Sequence, residues 1–85
     1  MTAAGASEAP AAPRLIEALR ALEPFCYQVV YYLLTDERRA EAAAREALLE
    51  AARSAGFAKL PPAERRQVIK RCAIRHALAS AGRQR

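Results

Sequence analysis

From Leu15 onward, the apolar residues of this chain recur every three or four positions, which is the spacing of a helix that buries one face. Alanine is the most frequent residue, and the 85 residues include only 3 glycines. Alanine, leucine, arginine and glutamate favour helix because their side chains lose little conformational freedom there. The one β-branched cluster, Val29-Val30, is too short to indicate a sheet. We therefore predict an all-α fold, a small bundle of three to four helices.

Composition and length divide the chain into three segments. Residues 1–12 are mostly alanine and other small residues without helical periodicity, and they are predicted to form a disordered N-terminal tail. Residues 13–82 are predicted to form a single helical domain, because a chain of this length provides one domain at most. Residues 83–85 are predicted to be a basic C-terminal end.

Prolines and helix-capping residues mark the predicted helix boundaries. Pro24 either begins a second helix or kinks one longer helix. The Thr-Asp pair at 35–36 is predicted to end that segment and to cap the next helix. Gly56 is a suitable C-terminal stop for this second segment, and Pro61-Pro62 is predicted to open the last helix.

Two of the predicted helices have well-defined apolar faces. The helix after Asp36 has a face of mostly small residues, which lets a neighbouring helix approach closely: Ala40, Ala43, Ala44, Ala47, Leu48 and Ala51. The buried face predicted for the last helix consists of Val68, Ile69, Cys72, Ala73, His76 and Ala79. Cys26 and Cys72 both fall on apolar faces, so we predict that they are small buried hydrophobes with free thiols.

The sequence does not predict catalysis or a cofactor. His76 is the only histidine and is interpreted as a core or edge residue, not as a general base or metal ligand. Two cysteines and one histidine lack the spacing of a zinc site, and no glycine-rich phosphate loop is present. The sequence contains no signal-peptide pattern and no apolar run of the roughly 18 residues that span a bilayer. We expect a cytoplasmic protein that is not an enzyme and takes no metal or cofactor.

The net charge of +5 is unevenly distributed along the chain. Residues 1–58 contain six Lys/Arg and eight Asp/Glu, whereas residues 59–85 contain eight Lys/Arg and only Glu64. Four basic residues of the last helix lie outside its predicted buried face: Arg66, Lys70, Arg71 and Arg75. This asymmetry indicates an anionic partner, with nucleic acid as the first candidate; the alternative is an ordinary solvated helix face.

Tyr27 and Tyr31 are four residues apart and therefore lie on one side of a helix, with Tyr32 beside them. Such rings can stack on unpaired bases when cationic groups are near. Alternatively, they pack against neighbouring helices and leave their hydroxyl groups in water. Both interpretations are open from the sequence.

The order of the segments resembles region 2 of the extracytoplasmic-function sigma factors of the σ70 family. The resemblance covers residues 25–83. An apolar-aromatic helix runs into the Thr-Asp turn, and an Ala-Glu pair follows at Ala40-Glu41. In the family this pair begins an Ala-Glu-Asp motif, and its Asp, Gln and large apolar positions are occupied here by Ala42, Arg45 and Leu48. The apolar positions of the family's last helix correspond to Ile69, Cys72, Ala73 and Leu78.

This resemblance implies two kinds of contact. In the family, the Ala-Glu-Asp helix docks on core RNA polymerase, which implies the docking residues Glu41, Arg45 and Leu48 here. The last two helices and their link capture the −10 promoter element as melted single-stranded DNA. The nucleic-acid-binding residues implied here are Arg66, Lys70, Arg71, Arg75 and Arg83. Phe57 is the only aromatic residue in the corresponding link.

The resemblance also implies further partners. Without the region that reads the −35 element, we expect a second, sigma-like chain to be needed for full sigma activity. The alternative is a degenerate sigma-like module that serves as a protein–protein interaction adaptor or regulator, for example by binding an anti-sigma factor. We expect no membrane association, and the wide apolar faces leave a homodimer open.

Overall fold

The computed structural model describes the backbone of residues 11–83 and the side chains of residues 14–82. This part of the chain consists of helices: α1 (Ala11–Leu34), α2 (Glu37–Arg53), a short 3₁₀ helix (Phe57–Lys59) and α3 (Pro62–Arg83). It contains no β-strand, and each α-helix packs on the other two. The prediction of a small all-α bundle is confirmed. None of the helices described is both long enough and apolar enough to cross a membrane.

The predicted N-terminal tail, residues 1–12, lies mostly outside the described residues. α1 begins at Ala11, so the last two residues assigned to the tail are helical. Pro13 consequently occupies the first turn of α1, where a missing N–H group removes no hydrogen bond. At the other end, Arg83 is the last residue of α3, and residues 84–85 lie outside the described residues.

Pro24 lies inside α1, so the two alternatives for this residue resolve in favour of one long helix. A proline in a helix removes one backbone hydrogen bond and crowds the preceding turn. Here the ring is exposed, while Leu22, Cys26 and Val30 on the opposite side of α1 are buried in the core. Packing of that apolar side therefore maintains the helix against the local preference of proline.

Asp36 and Gly56 account for the turns between the helices, whereas Thr35 takes a backbone conformation that is uncommon for a β-branched residue. Thr35 has a positive φ of 52°, and its N–H donates to the carbonyl of Tyr31 over 2.7 Å, which closes α1. Asp36 is the N-cap of α2, and its carboxylate accepts a 3.0 Å hydrogen bond from the N–H of Arg39. Gly56 has a φ of 77°, in the region that favours glycine. The predicted boundaries at residues 35–36 and Gly56 are confirmed.

The core lies where the three helices meet, and α2 contributes only alanines to it. The buried residues of α2 are Ala40, Ala43, Ala44, Ala47 and Ala51. Methyl groups project little, so α1 and α3 can approach the axis of α2 closely. The largest fully buried side chains are Phe57, Ile69, Val30 and Cys26. The predicted face of α2 is confirmed, with Leu48 half-buried at its edge.

The buried face of α3 differs from the prediction by part of a turn. The predicted residues that are buried or half-buried are Val68, Ile69, Cys72, Ala73 and His76. Ala79 was wrongly predicted to be buried: it is exposed, whereas Ala77 and Ser80 are buried. α3 packs against both α1 and α2, so its buried arc is centred between them and includes Ser80. An apolar pattern does not indicate this residue, because serine is mostly exposed in folded proteins.

Candidate nucleic-acid and protein interfaces

Two of the predicted nucleic-acid-binding residues extend into water without an acidic partner. Lys70 and Arg71 are exposed on α3. The ion pairs among the side chains of residues 14–82 involve Arg75 and His76, and neither Lys70 nor Arg71 takes part in one. Their charges are therefore available to phosphate oxygens, which ammonium and guanidinium groups bind readily.

Unlike Lys70 and Arg71, Arg75 has an acidic partner. The prediction that Arg75 belongs to the same open basic face is therefore corrected. Its guanidinium donates to the carboxylate of Glu50 on α2. This hydrogen bond and the charge of Glu50 raise the pKa of Arg75 above its usual range. A phosphate would have to compete with that carboxylate, so Arg75 contributes less net positive charge to the surface than Lys70 or Arg71.

The other two predicted nucleic-acid-binding residues are Arg66 and Arg83. The guanidinium carbon of Arg66 lies 4.0 Å from the centre of the Phe25 ring, which is the geometry of a cation–π contact between α3 and α1. Arg66 remains exposed while it makes this contact. The side chain of Arg83 lies outside the described residues, and its role stays a prediction.

His76 is a half-buried edge residue with two carboxylate partners, although the sequence suggested no partner for it. Its Nε2 lies 2.7 Å from Oε1 of Glu50, and its Nδ1 lies 3.4 Å from Oε1 of Glu46. The hydrogen bond with His76 lowers the pKa of Glu50, partial burial opposes this shift, and Arg75 reinforces it. We call Glu46, Glu50, Arg75 and His76 the α2/α3 polar cluster.

The contribution of Glu50 to stability should depend on pH. Its carboxyl has a lower pKa in the folded protein than its ordinary value of 4.5. The stabilisation is therefore present above pH 4.5 and is lost as the pH falls through the lowered pKa. We expect the difference in Tm between the wild type and Glu50→Gln to be largest above this pH and to vanish in acid, as measured by circular-dichroism melts at a series of pH values.

Glu17→Gln is the matched control for this series. Glu17 is exposed on α1 and belongs to none of the ion pairs found among residues 14–82. We expect the difference in Tm between Glu17→Gln and the wild type to show no comparable decline in acid. If the difference in Tm between the wild type and Glu50→Gln stays constant from neutral pH to acid, the ionised Glu50 carboxylate does not stabilise the fold.

The three predicted polymerase-docking residues line one groove between α1 and α2. Glu41, Arg45 and Leu48 lie on the same side of α2 because they are four and three residues apart. The groove has a volume of about 490 Å³ and is lined by Leu19, Glu23, Tyr27, Glu41, Ala44, Arg45, Leu48 and Leu49. This lining combines apolar side chains with two carboxylates, Glu23 and Glu41, and one guanidinium, Arg45, so acidic groups outnumber the basic one. We call it the α1/α2 groove; its chemistry suits an amphipathic segment that carries basic residues.

Tyr27 and Tyr31 stack on each other beside this groove, with ring centres 5.8 Å apart and an angle of 16° between planes. Tyr27 is half-buried and packs against the core. Burial raises the pKa of Tyr27, and the negative charges of Glu37 and Glu41 add to that shift. Such acidic surroundings repel phosphate groups, so the geometry favours the packing interpretation of this pair over base stacking.

Phe57 is not available for base capture. The resemblance placed it in the link that would meet single-stranded DNA, but its side chain is only 1% exposed. The 3₁₀ helix that contains it packs against α1 and α2 and carries the ring into the core. A base could reach Phe57 only if this part of the fold opened.

Both cysteines are buried with free thiols, as predicted. The thiol of Cys26 lies 3.7 Å from the carbonyl oxygen of Ala44, to which it donates a weak hydrogen bond. Burial raises the pKa of Cys26 to about 11 and also raises the pKa of Cys72. Both groups are therefore protonated at neutral pH and poorly nucleophilic.

Sequence reasoning missed the acidic half of the α2/α3 polar cluster. Glu46 and Glu50 are four residues apart, a spacing that by itself indicates two like charges that repel each other on one helix face. The adjacent residues Arg75 and His76 on α3 offset that repulsion. A signal was present in the sequence, because an acidic i, i+4 pair and a neighbouring basic pair occur on consecutive helices.

The chain matches no protein-family model, no curated protein and no solved structure.

Proposed function

We propose that this chain is a transcription protein resembling region 2 of sigma factors, which binds core RNA polymerase and promoter DNA near the −10 element. The observation that carries the proposal is the separation of two surfaces. Glu41, Arg45 and Leu48 share the α1/α2 groove, whereas Lys70 and Arg71 lie exposed on α3 without an acidic partner among the described residues. The surface of α2 is thus suited to a protein partner and the surface of α3 to an anion.

The positions of Arg75 and Phe57 limit the proposed DNA contact. Arg75 is paired with Glu50, and Phe57 is buried, so neither supports base capture. Contacts from Lys70 and Arg71 would bind phosphates, which position a protein on nucleic acid without reading its sequence. In this proposal the chain holds DNA near polymerase, and a second, sigma-like chain supplies further promoter recognition.

Polymerase docking is tested by reversing the charge at Glu41. We expect Glu41→Lys to weaken the retention of purified core RNA polymerase on the immobilised protein, because the variant replaces one of the two carboxylates of the α1/α2 groove with a second cation beside Arg45. Glu17→Lys is the matched control, since Glu17 is an exposed acidic residue that does not line this groove. Equal retention by wild type, Glu41→Lys and Glu17→Lys would remove the docking claim.

The proposed DNA contact is tested by neutralising Lys70 and Arg71 together and, in a separate variant, Arg75. Binding of a fluorescent oligo-dT strand should weaken in Lys70→Gln/Arg71→Gln. The slope of log K against log salt should decrease by about 1.4, because each lost phosphate contact on a single strand contributes about 0.7. Arg75→Gln is the control on the same helix and should change this slope much less, because Glu50 already pairs with Arg75. An unchanged slope in the double variant would contradict phosphate binding by α3.

The second candidate function is a protein–protein interaction adaptor or regulator. The pairing of Arg75 and the burial of Phe57 favour it, because both remove features that DNA capture would use. Salt dependence separates the two candidates. Binding to DNA falls steeply as salt rises, whereas a mostly apolar protein interface responds much less.

A further inference from the structure

A second groove lies between α1 and α3 and differs in chemistry from the α1/α2 groove. It has a volume of about 440 Å³ and is lined by Phe25, Gln28, Val29, Tyr32, Leu33, Lys70 and Ile74. The lining is mostly apolar, and its polar groups are the Lys70 ammonium, the Gln28 amide and the Tyr32 hydroxyl. No carboxylate contributes to this lining in the part of the chain that the structure describes. We call it the α1/α3 groove.

Large apolar side chains at this groove remain in contact with water. Tyr32 is 82% exposed and Leu33 is 42% exposed. Leu78, one helical turn beyond Ile74 on α3, is 61% exposed and continues the apolar surface past the groove. A contiguous apolar surface of this kind on a small domain marks a site of association, because burying it removes apolar area from water.

The α3 side of this groove is basic at one end and apolar at the other. Arg66, Lys70, Ile74 and Leu78 are each four residues apart, so they form one row along α3. The row is basic at its first two positions and apolar at its last two. Arg66 contacts Phe25, which places the basic end of the row beside the middle of α1. A complementary partner therefore has acidic groups at one end and apolar side chains at the other.

We propose that the α1/α3 groove binds an amphipathic α-helix of another protein, with acidic residues in the first turn of that helix and an apolar row after it. The row from Arg66 to Leu78 spans about 18 Å, the length of about 12 helical residues. Acidic residues stabilise the N-terminal turn of a helix, so the bound helix begins beside Arg66 and Lys70 and ends beside Leu78. This inference goes beyond polymerase docking and DNA contact and requires neither.

The charge pattern disfavours two other occupants. A second copy brings no carboxylate to Arg66 and Lys70 from this groove. A twofold axis parallel to the groove sets these cations against each other, and a perpendicular one sets them against the apolar Ile74 and Leu78 of the other copy. Nucleic acid would meet only the basic end, because the rest of the groove offers no cation for its phosphates. A helix with acidic residues in its first turn and apolar residues after it complements both the basic end and the apolar end of the groove.

Two synthetic peptides of about 14 residues test the proposal on the full chain. Both carry the same leucine row and the same glutamates, placed in the first turn in one peptide and in the last turn in the other. We expect the first peptide to bind at least about fivefold more tightly, as two favourable ion pairs at a partly exposed site would give. Chemical-shift changes in ¹⁵N spectra should map to the residues that line the α1/α3 groove.

Variants of this chain provide the controls. Tyr32→Ala should weaken binding of the first peptide about tenfold, because exposed aromatic residues are frequent anchors of interfaces. Tyr31→Ala should not, since Tyr31 stacks on Tyr27 away from this groove. Lys70→Glu should reverse the preference between the first peptide and a version with lysines in place of its glutamates. Circular dichroism verifies that each variant is folded.

Three outcomes would overturn the proposal. The first is equal binding of the two peptides with no effect of Tyr32→Ala. The second is concentration-dependent self-association in analytical ultracentrifugation that is lost in Tyr32→Ala, which would assign the groove to a second copy. The third is tighter, Tyr32-dependent binding of oligo-dT than of the first peptide. None of these measurements involves polymerase, so failure here is distinguishable from failure of the proposed docking function.

Discussion

Replacing Phe57 by alanine is expected to lower the melting temperature by at least about 12 °C, from a loss of about 3–5 kcal/mol in a domain where each kcal/mol shifts Tm by about 4–8 °C. Phe57 is the largest of the fully buried side chains, and the 3₁₀ helix brings it against α1 and α2. Its removal leaves a cavity that the alanines of α2 are too short to fill. Because small domains have little stability in reserve, much of the variant should be unfolded at 37 °C.

Tyr32→Ala is the matched aromatic control for this experiment. Tyr32 is 82% exposed, so its truncation should change Tm little. Thermal melts followed by circular dichroism at 222 nm measure both variants. A Phe57→Ala protein that melts with the wild type would show that the ring is not part of the core. In that case Phe57 would again be a candidate for contact with single-stranded DNA.

Replacing Ala47 by leucine is expected to destabilise the bundle by about 1–3 kcal/mol, a decrease in Tm of at least about 4 °C. Ala47 is completely buried at the centre of the alanine face of α2, where its methyl group allows close approach of the neighbouring helices. The larger side chain has to push α1 or α3 away from α2. Such a displacement also disturbs the α2/α3 polar cluster, because Glu46 and Glu50 lie on the same helix.

Ala42→Leu is the control, since it makes the same chemical change on an exposed position of the same helix. Leucine and alanine both favour helix strongly, so this variant should melt close to the wild type. Equal melting temperatures for the Ala42→Leu and Ala47→Leu proteins would contradict close packing at the alanine face. The comparison separates packing from helix propensity, because only packing differs between the two sites.

The α2/α3 polar cluster changes the functional interpretation of α3. From sequence, Arg75 belonged with Lys70 and Arg71 as one basic surface. In the fold, Arg75 is directed toward Glu50, so Lys70 and Arg71 remain as exposed cations of α3 without an acidic partner among the described residues. That remaining positive charge borders the α1/α3 groove, where Lys70 contributes to the lining. The proposed phosphate contacts of α3 are therefore assigned to Lys70 and Arg71 and not to Arg75.

The sequence by itself determined the class of fold and the turns. Helical periodicity, abundant alanine and scarce glycine were sufficient for an all-α bundle, because these signals are local. Asp36 and Gly56 set the ends of helices through backbone interactions within a few residues. The alanine face of α2 could also be read directly, since a helix with one stripe of small residues has only one side to bury.

The tertiary structure alone decided which residues of α3 are buried and which charges are paired. Ala79 was predicted to be buried and is exposed, while Ser80 is buried, because α3 packs on two helices at once. The direction of that combined contact is not determined by local sequence. Likewise, the approach of α3 to α2 pairs Arg75 and His76 with Glu50 across 25 and 26 residues of sequence. Hydrogen bonds and ion pairs act only over a few ångströms, so contacts between distant residues follow from packing and cannot be obtained from spacing along the chain.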